Sequence, residues 1–222
     1  MCGRFALSAT TDQVEKLLPE LYSNRKIIPN YNIAPSQEVA VILNTKPKEI
    51  NFAVWGLIPS WAKDEKIGQK MINARSETLM EKPSFNNLFI RKRCLIIADG
   101  FYEWKKDEKT KSKTPYFIKM KTGEPLTFAG LWDEWIDKSN NDKVISTTII
   151  TTEPNELMLN IHNRMPAIIL PNERNLWLSP EVQTNHLKSL FIPIPGELLE
   201  AYPVSGRVNS PMNIDSSSIE EL

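Results

Sequence analysis

The chain has 222 residues, 41% of them hydrophobic and 24% charged, with 27 Lys and Arg balanced by 27 Asp and Glu. That length supports one sizeable core, and zero net charge excludes a strongly basic footprint for duplex nucleic acid, so any such site is a local patch. No apolar run approaches the roughly 20 residues of a membrane span, no secretory signal is read, and the two cysteines lie far apart, so an intracellular, cytoplasmic, reducing setting without disulfides is expected.

The chain opens Met1-Cys2-Gly3-Arg4-Phe5. Loss of Met1 would leave Cys2 first, its free α-amine beside its own thiol. Such a 1,2-aminothiol condenses with an aldehyde through the amine (pKa ~8) and closes through the thiol (pKa ~8.5) to a thiazolidine. Alternatively, the amine serves as base while the sulfur attacks an acyl carbon. Two blander readings stand beside these, an ordinary small residue at a chain start and a lipid anchor. No apolar segment or polybasic cluster supports the anchor.

Thr10 and its neighbours offer helix caps, and Val14, Leu17 and Leu18 form a short amphipathic face ahead of Pro19. Tyr31-Asn32-Ile33-Ala34-Pro35 reads as a loop. Val39, Val41 and Leu43 then alternate in one strand, and Ile50, Phe52 and Val54 in a second that pairs with it. Trp55-Gly56-Leu57-Ile58-Pro59-Ser60-Trp61 breaks the alternation and predicts an ordered surface loop. Residues 93–98 and 101–105 predict strands hinged at Asp99-Gly100, with Cys94 a small core hydrophobe. Lys105 to Lys113 reads as a solvated turn before strands at 116–120 and 127–131. The β-branched run from Val144 to Thr151 predicts a central strand. A short helix opens at Pro154 and ends near Ile161, followed by helical stretches near 172–178 and 180–190. Residues 1–209 thus form one domain, and 210–222 a polar, acidic, mobile tail. Short strands at hairpin spacing with helices inserted predict an α+β fold on a mostly antiparallel sheet.

Three stretches carry side chains suited to chemistry. Ile72-Asn73-Ala74-Arg75 joins an amide, both donor and acceptor, to a cationic fork that suits phosphate. In Gly100-Phe101-Tyr102-Glu103-Trp104 the carboxylate sits between aromatics after an apolar strand, where desolvation would raise its pKa and suit it to acid–base work. His162, in Ile161-His162-Asn163-Arg164, falls at the predicted C-terminal end of a helix, whose dipole favours imidazolium. The other histidine, His186, reads as an ordinary helix residue. Each stretch alone has an ordinary structural explanation. Phosphate-loop and dinucleotide motifs are missing, and no metal site is expected, because no C-x-x-C or H-x-x-x-H spacing occurs.

Taken together, these pieces resemble the SOS-response-associated peptidase family, proteins that shield abasic sites in single-stranded DNA. The resemblance runs over nearly the whole chain. It rests on Met1-Cys2-Gly3-Arg4-Phe5, Tyr31-Asn32-Ile33-Ala34-Pro35, Trp55-Gly56 with Pro59 and Trp61, and Asn73-Ala74-Arg75 with Glu77-Thr78. Ala98-Asp99-Gly100-Phe101-Tyr102-Glu103-Trp104, Ile161-His162 with Arg164-Met165-Pro166, and Pro203-Val204-Ser205 complete it. It implies a bifurcated, barrel-like sheet with a groove for single-stranded DNA. Cys2 would be the nucleophile that forms a thiazolidine with the open-chain aldehyde of an abasic sugar, and Asn73 would orient the lesion. Glu103 and His162 would assist ring opening, imine formation and reversal. The resemblance further implies self-removal of Met1 and, in some members, strand-cleaving lyase behaviour. Phosphate contacts are expected from Arg4, Arg75 and Arg164, with Trp61 stacking on a base. The expected partner is single-stranded DNA containing an abasic site, met by a monomer without cofactor or membrane. Two alternatives stand beside it, an N-terminal-nucleophile glutamine amidotransferase and a non-covalent single-stranded-DNA binder. Arg at position 4 and the lack of an Asn-Gly turn count against the amidotransferase.

Overall fold

The computed structural model describes residues Cys2 to Leu222, and removal of Met1 lies outside them. Among the described residues, thirteen strands and four short α-helices form one α+β unit. The strands are β1 (Phe5–Leu7), β2 (Tyr22–Ser23), β3 (Asn30–Ile33), β4 (Glu38–Leu43), β5 (Glu49–Trp55), β6 (Asn73–Arg75) and β7 (Arg93–Ala98). After them come β8 (Gly100–Lys106), β9 (Lys113–Met120), β10 (Leu126–Ile136), β11 (Lys143–Thr152), β12 (Met165–Pro166) and β13 (Leu199–Pro203). The helices are α1 (Thr11–Leu17), α2 (Asn86–Arg91), α3 (Arg174–Leu178) and α4 (Thr184–Ser189). No helix among the described residues is long and apolar enough to cross a membrane.

The larger sheet runs β12-β11-β10-β7-β4-β5-β2, with β6 added beside β11. Its near-continuous apolar strands match burial on both faces, since every residue of β7 is buried. The expected pairing of β4 with β5 is antiparallel, Val39 opposite Ala53 and Val41 opposite Asn51. A second, parallel contact joins β5 to β11, with Val54 opposite Ser146 and Trp55 opposite Thr147. That contact closes β5, β4, β7, β10 and β11 into a ring, the barrel. Phe5 enters its core, 5.1 Å from the Trp55 ring and 5.9 Å from Phe128.

The smaller sheet, β13-β9-β8-β1-β3, branches from the barrel at Asp99-Gly100, the predicted hinge. β7 ends in the barrel and β8 begins in the other sheet. Asp99 holds this corner by accepting from the Ser8 backbone N–H and hydroxyl and from Ala9 N. Position 100 must be glycine, because a Cβ there would lie 2.4 Å from Phe117 Cζ and 2.6 Å from Ile118 O. The sheet is therefore bifurcated, and the site lies against its branch.

Four expectations are corrected. The Tyr31–Pro35 stretch, read as a loop, begins within β3, which pairs antiparallel with β1 with Phe5 opposite Ile33. The helix predicted to run to Ile161 is a single 3-10 turn, Met158–Asn160. The tryptophan loop divides, with Trp55 fully buried and Trp61 62% exposed. The segment from Ser210, read as a mobile tail, is docked. Asn32 Nδ2 donates to Ser210 O and Asn213 O, Tyr31 N donates to Ile214 O, and Ser218 is fully buried. It is held through backbone carbonyls, which every residue carries whatever its side chain, so composition alone cannot distinguish it from solvated chain.

Candidate active site

The N-terminal segment lies antiparallel to β8. Phe5 is opposite Phe101 and Ala6 opposite Gly100, and Tyr102 N donates to Arg4 O at 3.0 Å. Continuing that register brings Glu103 opposite Gly3, next to Cys2. Cys2 is fully buried, its Sγ 3.7 Å from Arg4 O. Burial, reinforced by the nearby Glu103 charge, pushes its thiol well above the ordinary range. The sulfur is held as a thiol and reacts only if a neighbour takes its proton.

β6 delivers Asn73 from the opposite side. Its parallel pairing with β11 sets Asn73 opposite Ile149, and Asn73 Nδ2 donates to Cys2 O at 2.8 Å. Asn73 Oδ1 is buried without a hydrogen-bond partner among the described residues. An unsatisfied acceptor beside a nucleophile has capacity for one more donor, such as a substrate hydroxyl.

Glu103 is 2% exposed, and burial raises its carboxyl to about 7. At neutral pH it is present in both protonation states. His162 Nε2 lies 3.8 Å from Glu103 Oε2. Nδ1 of His162 lies 3.1 Å from Arg164 N and 3.2 Å from Arg164 O. The Arg164 backbone therefore supplies a donor to the neutral ring and an acceptor to the protonated one, while Nε2 faces Glu103 in both. Burial lowers the imidazole pKa, the reverse of the expected helix-dipole effect. The reason is structural, because one 3-10 turn carries little dipole and the ring is partly desolvated.

Cys2, Asn73, Glu103 and His162 thus come together from the chain start and three strand-linked segments. The expected phosphate ligands divide. Arg75 is exposed, and Trp61 presents an exposed indole. Gly56, at φ +129°, lets the loop bearing Trp61 return against Gly68, where any Cβ would lie 2.7 Å from Gly68 O. Arg4 instead donates to Asn32 Oδ1, Val208 O and Asn209 O at 2.8, 2.6 and 3.2 Å. Arg164 forks onto Glu77 at 2.5 and 3.0 Å and donates to Thr151 O at 2.6 Å. Both guanidiniums are engaged within the protein, and Arg4 secures the segment that leads from Cys2 into β1.

Sequence reasoning quoted Asn32 and Glu77 without giving either a task. Asn32 is fully buried and joins Arg4 to the docked C-terminal segment, while Glu77 holds Arg164 beside His162. The signal available for Glu77 was its place two residues after Arg75. Cys94 lies in the core as read, its Sγ 3.2 Å from Thr147 Oγ1. His186 is an exposed residue of α4.

The family model for SOS response associated peptidase (SRAP) matches residues 1–211. The chain is 46% identical over 228 residues to the abasic site processing protein YoqW of Bacillus subtilis, covering 99% of both. It is 31% identical to the abasic site processing protein HMCES of Gallus gallus, over 96% of this chain and 75% of that one. A crystal structure of a protein from Bacteroides thetaiotaomicron superposes with a TM-score of 0.90 at 29% identity, over the full length of both chains.

Proposed function

The chain belongs to the SOS response associated peptidase family, and from that premise we propose that it processes abasic sites in single-stranded DNA by capturing the lesion on Cys2. The observation that carries this reading is the contact of Asn73 Nδ2 with Cys2 O beside the Glu103–His162 pair. A buried N-terminal cysteine flanked by a titrating acid–base pair and an unsatisfied amide oxygen suits an aldehyde with a neighbouring hydroxyl. The abasic processing relatives supply the substrate class.

The steps follow from the groups present. Met1 is hydrolysed off, and we assign this peptidase step to the same site. The free amine of Cys2 remains. An abasic sugar is mainly a closed hemiacetal, so Glu103 and His162 exchange a proton with its ring oxygen and anomeric hydroxyl to release the aldehyde. Attack by the amine gives a carbinolamine, and loss of one water, assisted by the acid of the pair, gives an imine. The thiol then adds across the C=N bond. Sulfur bonds to carbon, the π electrons become the nitrogen lone pair, and the sulfur's proton passes through the pair to nitrogen. Burial of the sulfur makes this assistance necessary, because no thiolate is populated beforehand. Closure removes the imine that would otherwise promote loss of the 3′ phosphate. Lyase activity is the branch taken when closure fails.

The test is a denaturing gel of the protein incubated with a labelled single strand carrying one abasic site. A slow band that survives heating, and is lost in Cys2→Ala, supports the reading. Ammonia release from glutamine without any such band would favour the amidotransferase instead.

A further inference from the structure

The β8–β9 hairpin carries a concentrated run of lysines. Residues 105–113 hold Lys105, Lys106, Lys109, Lys111 and Lys113 against Asp107 and Glu108, on a chain whose net charge is zero. Every residue from 105 to 114 is exposed. Among the described residues, no carboxylate lies within ion-pair distance of any of these five lysines. Asp107 is turned onto the hairpin's own backbone, accepting from Lys109 N at 2.9 Å and Thr110 N at 2.7 Å.

The β10–β11 hairpin is built differently. Its turn carries Asp137, Lys138 and Asp142, and Lys143 at its base is neutralised by Glu134 at 3.2 Å. A solvated charge run needs no such asymmetry, so position matters. β8 is the strand that carries Glu103, and Lys106 lies three residues further on, about 10 Å along the strand. Lys105 shares the Glu103 face by alternation, and Lys106 is paired with Lys113. Lys113 is one of the charges that hold the His162 imidazole down, which sets the hairpin within electrostatic reach of the site.

We propose that the β8–β9 hairpin is a basic arm that tracks the phosphate backbone of the single strand flanking the captured nucleotide, with Lys109, Lys111 and Lys113 as its main contacts. The proposal rests on the functional reading above and adds a surface to it. An exposed arm of lysines contacts phosphates as point charges without reading sequence, which fits a lesion that can occur beside any base.

The experiment measures equilibrium binding of an undamaged single-stranded oligonucleotide across salt concentrations, which keeps it independent of covalent chemistry. Each phosphate contact contributes about 0.7 to the slope of log K against log salt for single strands. Replacing Lys109, Lys111 and Lys113 together by Gln lowers the slope by about 2 relative to wild type. The corresponding triple Arg variant keeps the wild-type slope, which separates lost charge from lost structure. Lys138→Gln, on the other hairpin, leaves the slope unchanged. Wild-type binding with an unaltered slope in the Gln variant would overturn the arm and leave the functional reading standing. Failure of the wild-type chain to bind single strands would overturn both.

Discussion

Replacing Glu103 by Gln separates the site's chemistry from its stability, and the two move in opposite directions. The carboxyl is 2% exposed and titrates near 7, against about 4.5 for an unperturbed group. The folded state therefore holds a proton that the unfolded state releases between those pH values. Stability conferred by the neutral carboxyl is fully present below about pH 4.5 and is lost as pH rises through 7. At 1.36 kcal/mol per pH unit, the penalty for a charged Glu103 above pH 7 is at most about 3 kcal/mol. Glu103→Gln keeps the shape and removes the charge. The variant should thus unfold at a higher temperature than wild type at pH 8, by several degrees for a chain this size. The two should converge near pH 4.5. Covalent capture under saturating DNA should fall by about 100-fold or more at neutral pH, the usual contribution of a positioned acid–base group. The wild-type rate should show an inflection near pH 7 that the variant lacks. Thermal unfolding followed by circular dichroism and single-turnover gels read the two effects. An unchanged inflection, or parallel pH–stability curves for the two proteins, would refute the assignment.

Further outcomes follow from individual contacts. Cys2→Ala should abolish the heat-stable product while leaving affinity for undamaged single strands within about twofold, measured by fluorescence anisotropy. Asn73→Ala removes a 2.8 Å bond to Cys2 O, so capture should slow by about tenfold, the rate equivalent of roughly 1.4 kcal/mol, without loss of thermal stability beyond about 1 kcal/mol. Asn32→Ala strips partners from Arg4 Nη1, Ser210 O and Asn213 O, and should destabilise the fold by about 2–3 kcal/mol in urea unfolding.

The grouping of Cys2, Asn73, Glu103 and His162 was expected from the family resemblance, since each run alone has an ordinary structural explanation, although two of the runs carry a local chemical hint. Cys2 needs only its place behind Met1, and Glu103 only its aromatic neighbours and the apolar strand before it. The Asp99-Gly100 hinge was legible for a related reason, since a single glycine is forced where β8 leaves the barrel against Phe117. What sequence could not supply was distant partnership. The barrel closes through Val54 and Ser146, parallel strands far apart in the chain whose pairing no hairpin signal announces. The arginines posed the same difficulty. Arg4 and Arg164, expected at phosphates, also have intramolecular partners that their own runs do not announce, carbonyls near residue 208 and the carboxylate of Glu77. The tail was misread by composition, because polarity marks solvent exposure only where no buried donor needs a carbonyl. His162 shows how a wrong element length reverses an electrostatic conclusion. With only one 3-10 turn before it, desolvation outweighs any helix-terminal field.

Covalent capture on a processed Cys2 is tested most directly by intact mass spectrometry of the purified protein, before and after incubation with a single strand carrying one abasic site. The expected starting mass lacks Met1, and the expected product has the summed mass of protein and full oligonucleotide less one water, stable to heating. Retention of Met1 on the adduct, or cleaved DNA with no adduct, would contradict it.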